Sequence, residues 1–333
     1  QQEIDYMQSA FPFADFKIDL FHLFFQQGAS LLKRNYYLCY IAPSTLLNNV
    51  YACGLREFII EQNRIIKIAV AKEKVFDDAD VHTAIYLFKK TNKSDPDGII
   101  QTTQYLEDVL NGQEDYKHIR QTDFNSLPGK VWNLVIDQGN FSIIQKILNH
   151  TTLDKYASIN RGLITGDRSK YFSDIKKSEN YVQILTGSDI LRYSINEPKE
   201  YILFDRPKTA GGCWDKDVHL APYKLCIRQI GTQPTATLIE QPYAVTGNIF
   251  TVVHKDKNLL KYFLAIINSQ LIKYYWQIMF ADFKSSFPQV TIFSLSQIPI
   301  AVASKENQHG IIQLVDQILT AKKADPNADI IAL

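Results

Sequence analysis

No run in this sequence of 333 residues reaches the roughly 18 consecutive apolar residues that a membrane helix needs, and the opening QQEIDYMQSA lacks the basic-then-apolar order of a secretory signal. A soluble, cytoplasmic protein is expected. Cysteine is scarce. Cys39, Cys53, Cys213 and Cys226 lie far apart with no C-x-x-C pair, which argues against a zinc ribbon or a disulfide framework and fits a reducing compartment. His22, His82, His118, His150, His219, His254 and His309 form no H-x-x-x-H pair and sit beside no cysteine at ligand spacing, so no metal site is expected. G-x-S-x-G, the Walker loop and G-x-G-x-x-G are all missing, which removes the usual signatures of acyl transfer, nucleotide hydrolysis and dinucleotide binding. Excess charge is missing too. Lys plus Arg (36) nearly cancels Asp plus Glu (35), so a surface for a polyanion has to be a local patch.

What is there is a globular chain, 46% hydrophobic with charges of both signs mixed throughout, long enough for two domains. The apolar residues of IDLFHLFFQQGASLL, Ile18 to Leu32, recur at helical spacing. YYLCYIAP is a short continuous apolar run stopped by Pro43, the pattern of a strand buried on both faces. YACGLREFIIEQN reads as a helix, IIKIAVA as a strand, and VHTAIYLFKK as a third strand with period-two alternation. The order helix, strand, helix, strand, strand predicts the closing half of an open α/β sheet whose last two strands form an antiparallel hairpin at its edge.

KTNKSDPDG, residues 90 to 98, concentrates turn formers and marks a boundary. The expected division is 1–95 for the partial α/β sheet, 96–150 for a connector with helices near Tyr105 to Leu110 and after Ser142, and 151–333 for a second, α+β domain. In that domain YVQIL, YILF, YKLCIRQI and NIFTVVH alternate with Gly, Pro and Asn, as in an irregular β-rich unit. LLKYFLAIINSQLIKYYWQIMF predicts one long apolar helix started by Asp256 or Asn258, with Asn268 and Ser269 as packing or turn residues. A last helix places Ile311, Leu314, Val315, Ile318 and Leu319 on one stripe.

DLFHLFFQQGASLL, YYLCYIAPSTLLNN, YACGLREFI and KVFDDADVHTAIYLFKK, in that order, resemble the C-terminal part of the methylation domain of gamma-class adenine-N6 DNA methyltransferases, including type IIG restriction-modification enzymes. RGLITGDRSKYF, LTGSDILRY, YKLCIRQI, NIFTVVHKDKNLLKYFLAIINSQLIKYYW and FPQVTIFSLSQIPI resemble the Taq-type target-recognition domain of such enzymes, and also one half of a type I specificity subunit. The resemblance implies the C-terminal half of a Rossmann-like methyltransferase domain followed by a target-recognition domain. Its implied partner is double-stranded DNA.

The family's catalytic N-P-P-Y and the segments that bind S-adenosylmethionine do not occur, and the chain opens on Gln1 with no initiator Met. The chain therefore reads as a fragment missing an N-terminal methyltransferase portion, with or without a fused nuclease. It carries no catalytic residue of its own on this reading. S-adenosylmethionine is implied for the parent enzyme and no cofactor for the fragment.

The resemblance places Val75 and Phe76 where the family has a base-stacking loop, so Phe76 is the candidate to stack on a flipped adenine. A ring covering the sheet edge fits the same pattern. Pro43 and Ser44, in the loop Pro43 to Asn49 at the carboxyl end of the first strand, are candidates for a pocket wall. Candidate DNA-binding residues are Arg161, Arg168, Lys170, Tyr171, Arg192, Tyr193, Lys224, Arg228, Lys284 and Gln289, since Arg and Lys neutralise phosphates and Arg and Gln address base edges. Each could equally be a solvated surface residue. Two other readings stay open: a type I specificity-subunit-like binding module, which the partial methylation sheet disfavours, and a protein-interaction domain without nucleic acid, which the near-neutral charge allows.

Overall fold

The apolar residues of Leu20–Leu31 recur at helical spacing, with His22, Leu23, Phe25 and Ala29 buried and Leu20, Phe24 and Leu31 exposed. The computed structural model describes residues 2–330 except 12, 14–18, 72–74, 79–80, 92, 96–97, 104–106, 108–109, 113–115, 137 and 281–288. The fold is mixed α/β with several sheets, divided into a first unit, Gln1–Ile143, and a second, Ile144–Leu333.

In the first unit, helices α1 (Gln2–Ala10) and α2 (Leu20–Leu31) precede strand β1 (Tyr37–Pro43), helix α3 (Cys53–Gln62), and strands β2 (Asn63–Val70), β3 (Thr83–Lys90), β4 (Ile99–Thr103) and β5 (Lys117–Arg120). The order from α2 to β3 matches the sequence reading. Five strands form one sheet in the order β1-β3-β2-β4-β5. β3 runs antiparallel to both β1 and β2, while β4 is parallel to β2.

Two expectations are corrected here. The β2–β3 hairpin is not at the edge, because β3 inserts between β1 and β2 and the sheet continues through β4 and β5. β1 is not buried on both faces: among the described residues it pairs with β3 alone, and Tyr37, Cys39 and Ile41 on one face are exposed. A continuous apolar run reports that a strand can be buried, not which neighbours cover it. β4 and β5 fall in the stretch read as a connector, and they extend this sheet. Tyr105 lies outside the described residues.

The core of this unit is aromatic. The Phe25 ring meets Tyr40, Tyr86 and Phe88 at centroid distances of 5.1, 5.4 and 5.9 Å. Trp132 stacks on Phe124 at 6.1 Å and meets Phe88 edge-on at 6.0 Å. Each fully buried ring of this kind contributes roughly 2 kcal/mol or more through area removed from water. Short helix α4 (Gln121–Asn125) follows β5, and α5 (Gln138–Leu148) spans the division between the units.

The second unit holds β6 (Ser158–Arg161), helix α6 (Arg168–Tyr171), β7 (Phe172–Ser173), β8 (Tyr181–Leu185), β9 (Ile190–Leu191), β10 (Ser194–Ile195), β11 (Glu200–Leu203), helix α7 (Lys216–His219), β12 (Lys224–Arg228), β13 (Ala236–Ile239), β14 (Ala244–Val245) and β15 (Ile249–Val253). They build two four-stranded sheets, β14-β8-β11-β7 and β13-β12-β15-β6, plus the small β9–β10 ribbon. β12, β13 and β15 are buried along nearly their whole length, and Cys226, Ile239 and Ile249 pack with Leu185 and Val245 of the other sheet.

Helices α8 (Lys257–Ile267), α9 (Gln270–Met279), α10 (Ile292–Ser296) and α11 (Lys305–Ala324) complete it. The single long helix expected after Asp256 is two. Asp256 caps α8 by accepting from the amides of Asn258 and Leu259, but Asn268 ends that helix and Ser269 caps α9 by accepting from Ile272. The break is held by tertiary hydrogen bonds: the Asn268 amide donates to the Ala236 carbonyl at 2.9 Å and accepts from the Ala236 amide at 3.1 Å. On α11 only part of the expected stripe is covered, Val315 and Ile318 being buried while Ile311 and Leu314 are exposed. No helix among the described residues is long and apolar enough to cross a membrane.

Candidate functional site

Two places gather the residues singled out in the sequence. The first is the end of the five-stranded sheet at which β1 and β2 finish. Pro43 pairs with Thr83 and Val70 with Ala84, so the loop after β1 and the loop between β2 and β3 emerge together. Pro43 and Ser44 stand on the first loop, half-buried and buried, and Val75 and Phe76 on the second, each 44% exposed.

The wall loop is held from beneath. The Ser44 amide donates to the His82 carbonyl at 2.8 Å, and the Tyr86 hydroxyl donates to the Pro43 carbonyl at 3.0 Å. Arg56 of α3, fully buried, donates from Nη1 to the carbonyls of Leu46 and Asn49 at 2.9 and 2.8 Å, and from Nε and Nη2 to those of Lys130 and Gly129 at 2.9 and 2.5 Å. No carboxylate partners it among the described residues, and burial pulls its pKa down to about 10, still charged at neutral pH. Arg56 was not singled out in the sequence: an arginine in a helix reads as a surface charge until the loops it binds are known.

The second place is an open cleft of about 430 Å³ in the second unit, lined by Arg161, Leu163 to Gly166, Arg168, Phe172, Thr186 and Thr246 to Asn248. It brings together two of the candidate arginines. Arg161 anchors through Nε on the Gly247 carbonyl at 2.6 Å. Arg168 pairs with Glu200 at 2.5 Å and lies 4.1 Å over the Phe172 ring. Close approach shapes the floor: a Cβ on Gly162 would stand 2.1 Å from the Thr246 carbonyl oxygen of the neighbouring backbone, and one on Gly247 would stand 2.4 Å from Cγ1 of the Ile164 side chain. Phe172, Thr186 and Asn248 were missed. A signal was available, since all three Thr-Gly pairs of the chain, at 165, 186 and 246 and each followed by a polar residue, converge here.

Other candidates fall elsewhere. Lys224 is corrected: it is fully buried, with Nζ donating to the His219 carbonyl at 2.7 Å, and its pKa is lowered by burial. It is not available to a phosphate. Tyr171 and Tyr193 are also buried, in packing roles, at 8% and 5% exposure. Lys170 is exposed beside the cleft, Arg192 donates to the Asn268 carbonyl at 2.8 Å, Arg228 is half-buried, and Gln289 is exposed next to Gln229. Lys284 lies outside the described residues. No cluster of three or more His, Cys, Asp or Glu side chains able to hold a metal occurs among the described residues.

The fold is similar to that of solved restriction-modification enzymes. The type IIL enzyme MmeI in complex with DNA superposes with a TM-score of 0.63 over 96% of this chain and 47% of its own, at 10% identity. The DrdV–DNA complex gives 0.56 over 96% of this chain and 41% of its own, at 11% identity. Residues 1–76 match the model of the Eco57I restriction-modification methylase family and residues 182–300 match that of the TaqI-like C-terminal specificity domain. It is 26% identical over 314 residues, 87% of its length, to a protein of Methanocaldococcus jannaschii named as a type II restriction enzyme and methyltransferase. It is 26% identical over 172 residues to the type II methyltransferase M.AccI of Acinetobacter calcoaceticus. The chain spans 25% and 31% of the length of these relatives.

Proposed function

We propose that this chain reads DNA sequence for a site-specific adenine-N6 methyltransferase of the type IIG restriction-modification kind, with its second unit as the target-recognition domain. The observation that carries this is the specificity-domain match over 182–300, on a unit whose cleft presents Arg161 and Arg168. The methylase match over 1–76 favours it over a free-standing type I specificity module, which would not need a methylation sheet.

On this reading the first unit is the closing half of a Rossmann-like methyltransferase sheet, Phe76 stacks on the flipped adenine, and Pro43 and Ser44 wall the pocket. The exposed apolar residues Tyr37 and Ile41 on β1 and Leu20, Phe24 and Leu31 on α2 support contact with further methyltransferase structure. S-adenosylmethionine is the methyl donor of such an enzyme. The residues present do not fit it: Gly28 and Gly54 are packed against Tyr40 and Phe13 and open on no cradle.

The test is duplex binding by the chain over a salt series, followed by selection of bound sequences from a random pool. Steep loss of affinity with salt and enrichment of one short motif are expected. Salt-insensitive or absent binding would instead favour a protein-interaction domain.

A further inference from the structure

The cleft between the Thr-Gly turns is rich in donors and poor in acceptors. Arg161 commits only Nε, to the Gly247 carbonyl, and its two Nη groups have no partner among the described residues. The Asn248 Oδ1 accepts from the Thr246 hydroxyl, which orients the amide and leaves Nδ2 without a partner among the described residues. Two lining hydroxyls are committed to the protein, Thr186 donating to Asp189 and Thr246 to Asn248. No carboxylate belongs to the lining. Two bond to lining residues from outside it: Asp189 accepts from the Thr186 amide and hydroxyl, and Glu200 of β11 accepts from Arg168 Nη2 through both oxygens, at 2.7 and 2.5 Å.

We propose that this cleft is a subsite for one phosphodiester of the DNA backbone, with Arg161 and Asn248 as its resident donors and Glu200 as an internal competitor that the phosphate displaces from Arg168. The proposal rests on the DNA-reading function above and names a contact within it. A phosphodiester and a carboxylate each carry one negative charge and both accept from the guanidinium edge, so they compete for the same donors. The Arg168–Glu200 pair is replaceable: the arginine side chain is 57% exposed, and exposed pairs hold little energy against solvent. Stacking on Phe172 keeps the Arg168 guanidinium at the cleft when its partner changes. The glycines fit the same picture. Gly162 lets two backbone segments meet where a Cβ would collide with Thr246, Gly247 leaves room for the Ile164 side chain, and this close approach sets Arg161 beside Asn248.

The experiment measures binding of the full chain to a fluorescently labelled duplex of mixed sequence and to one carrying the selected motif, across a salt series. Arg161→Met is expected to weaken both duplexes alike and to lower the slope of log affinity against log salt by about one. Arg161→Lys, which keeps the charge, is expected to restore most of the slope. Asn248→Ala weakens both duplexes without changing the slope, and Glu200→Gln tightens both several-fold at low salt. Unchanged binding by Arg161→Met and Asn248→Ala, with the wild type still salt-sensitive, overturns the subsite and leaves the DNA-reading function standing. Weaker binding by Glu200→Gln makes Glu200 a support for Arg168 and overturns the competition. A loss confined to the selected motif makes the cleft a base reader. A wild-type chain that binds neither duplex overturns both readings.

Discussion

The Arg56 guanidinium donates to the Leu46 carbonyl across 2.9 Å inside the first unit, and the same side chain reaches three further backbone carbonyls. A buried cation satisfied by carbonyls alone holds the loop after β1 against the turn at Gly129 and Lys130, where both residues have positive φ. Replacing it with methionine removes the guanidinium donor from four carbonyls, of which Asn49 keeps the Ala52 amide. Arg56→Met is expected to destabilise the chain by about 3 kcal/mol or more, with Arg56→Lys intermediate, as read from urea unfolding.

His219 makes the second unit sensitive to acid. Its Nδ1 accepts from the Val245 amide and its Nε2 faces the Cys213 carbonyl at 2.9 Å, so the neutral ring carries its proton on Nε2. Burial above all lowers its pKa from the ordinary 6.5. Below that value the unfolded ring takes up a proton and the folded ring resists, so stability falls as pH drops below about 6.5 until the folded ring titrates. Thermal unfolding between about pH 7 and pH 5 is expected to show the decline, at most about 1.4 kcal/mol per pH unit for this group. His219→Gln flattens it, leaving the part that belongs to His22, also lowered by burial.

Asn268 ties the break between α8 and α9 to the backbone of Ala236 through two buried hydrogen bonds. Asn268→Ala leaves the Ala236 amide without its acceptor, while the Ala236 carbonyl keeps the Tyr193 amide as a donor, and is expected to cost about 1 to 3 kcal/mol. Chemical denaturation of the chain measures it.

Phe76 is 44% exposed, so Phe76→Ala is expected to leave the unfolding midpoint of the chain nearly unchanged. In the complete enzyme the same substitution is expected to weaken capture of the extruded base by about 1 to 3 kcal/mol. Fluorescence of a base analogue at the target adenine reads that loss, and an unchanged signal assigns the ring to covering the sheet edge.

Local periodicity made much of the fold legible. The helix at 20–31, the strands at 63–70 and 83–90 and the cap at Asp256 all follow from side-chain spacing and one capping carboxylate. Where the reading failed, the deciding partner was distant in sequence. Asn268 breaks a helix by binding Ala236, and Lys224 leaves the surface by binding His219. Of the site, the arginines at 161 and 168 were visible as charges, but not their meeting with Asn248 in one cleft.

By itself the sequence determined the succession of elements, the two family regions and the residue types able to meet a polyanion, because those depend on neighbours within a few residues. The tertiary structure decided which of those charges are exposed. It placed β3 between β1 and β2, buried Lys224 and Arg56 on backbone carbonyls, and drew three Thr-Gly turns together around Arg161. Pairing across tens of residues is set by which packing satisfies every buried polar group at once, and no local pattern encodes that.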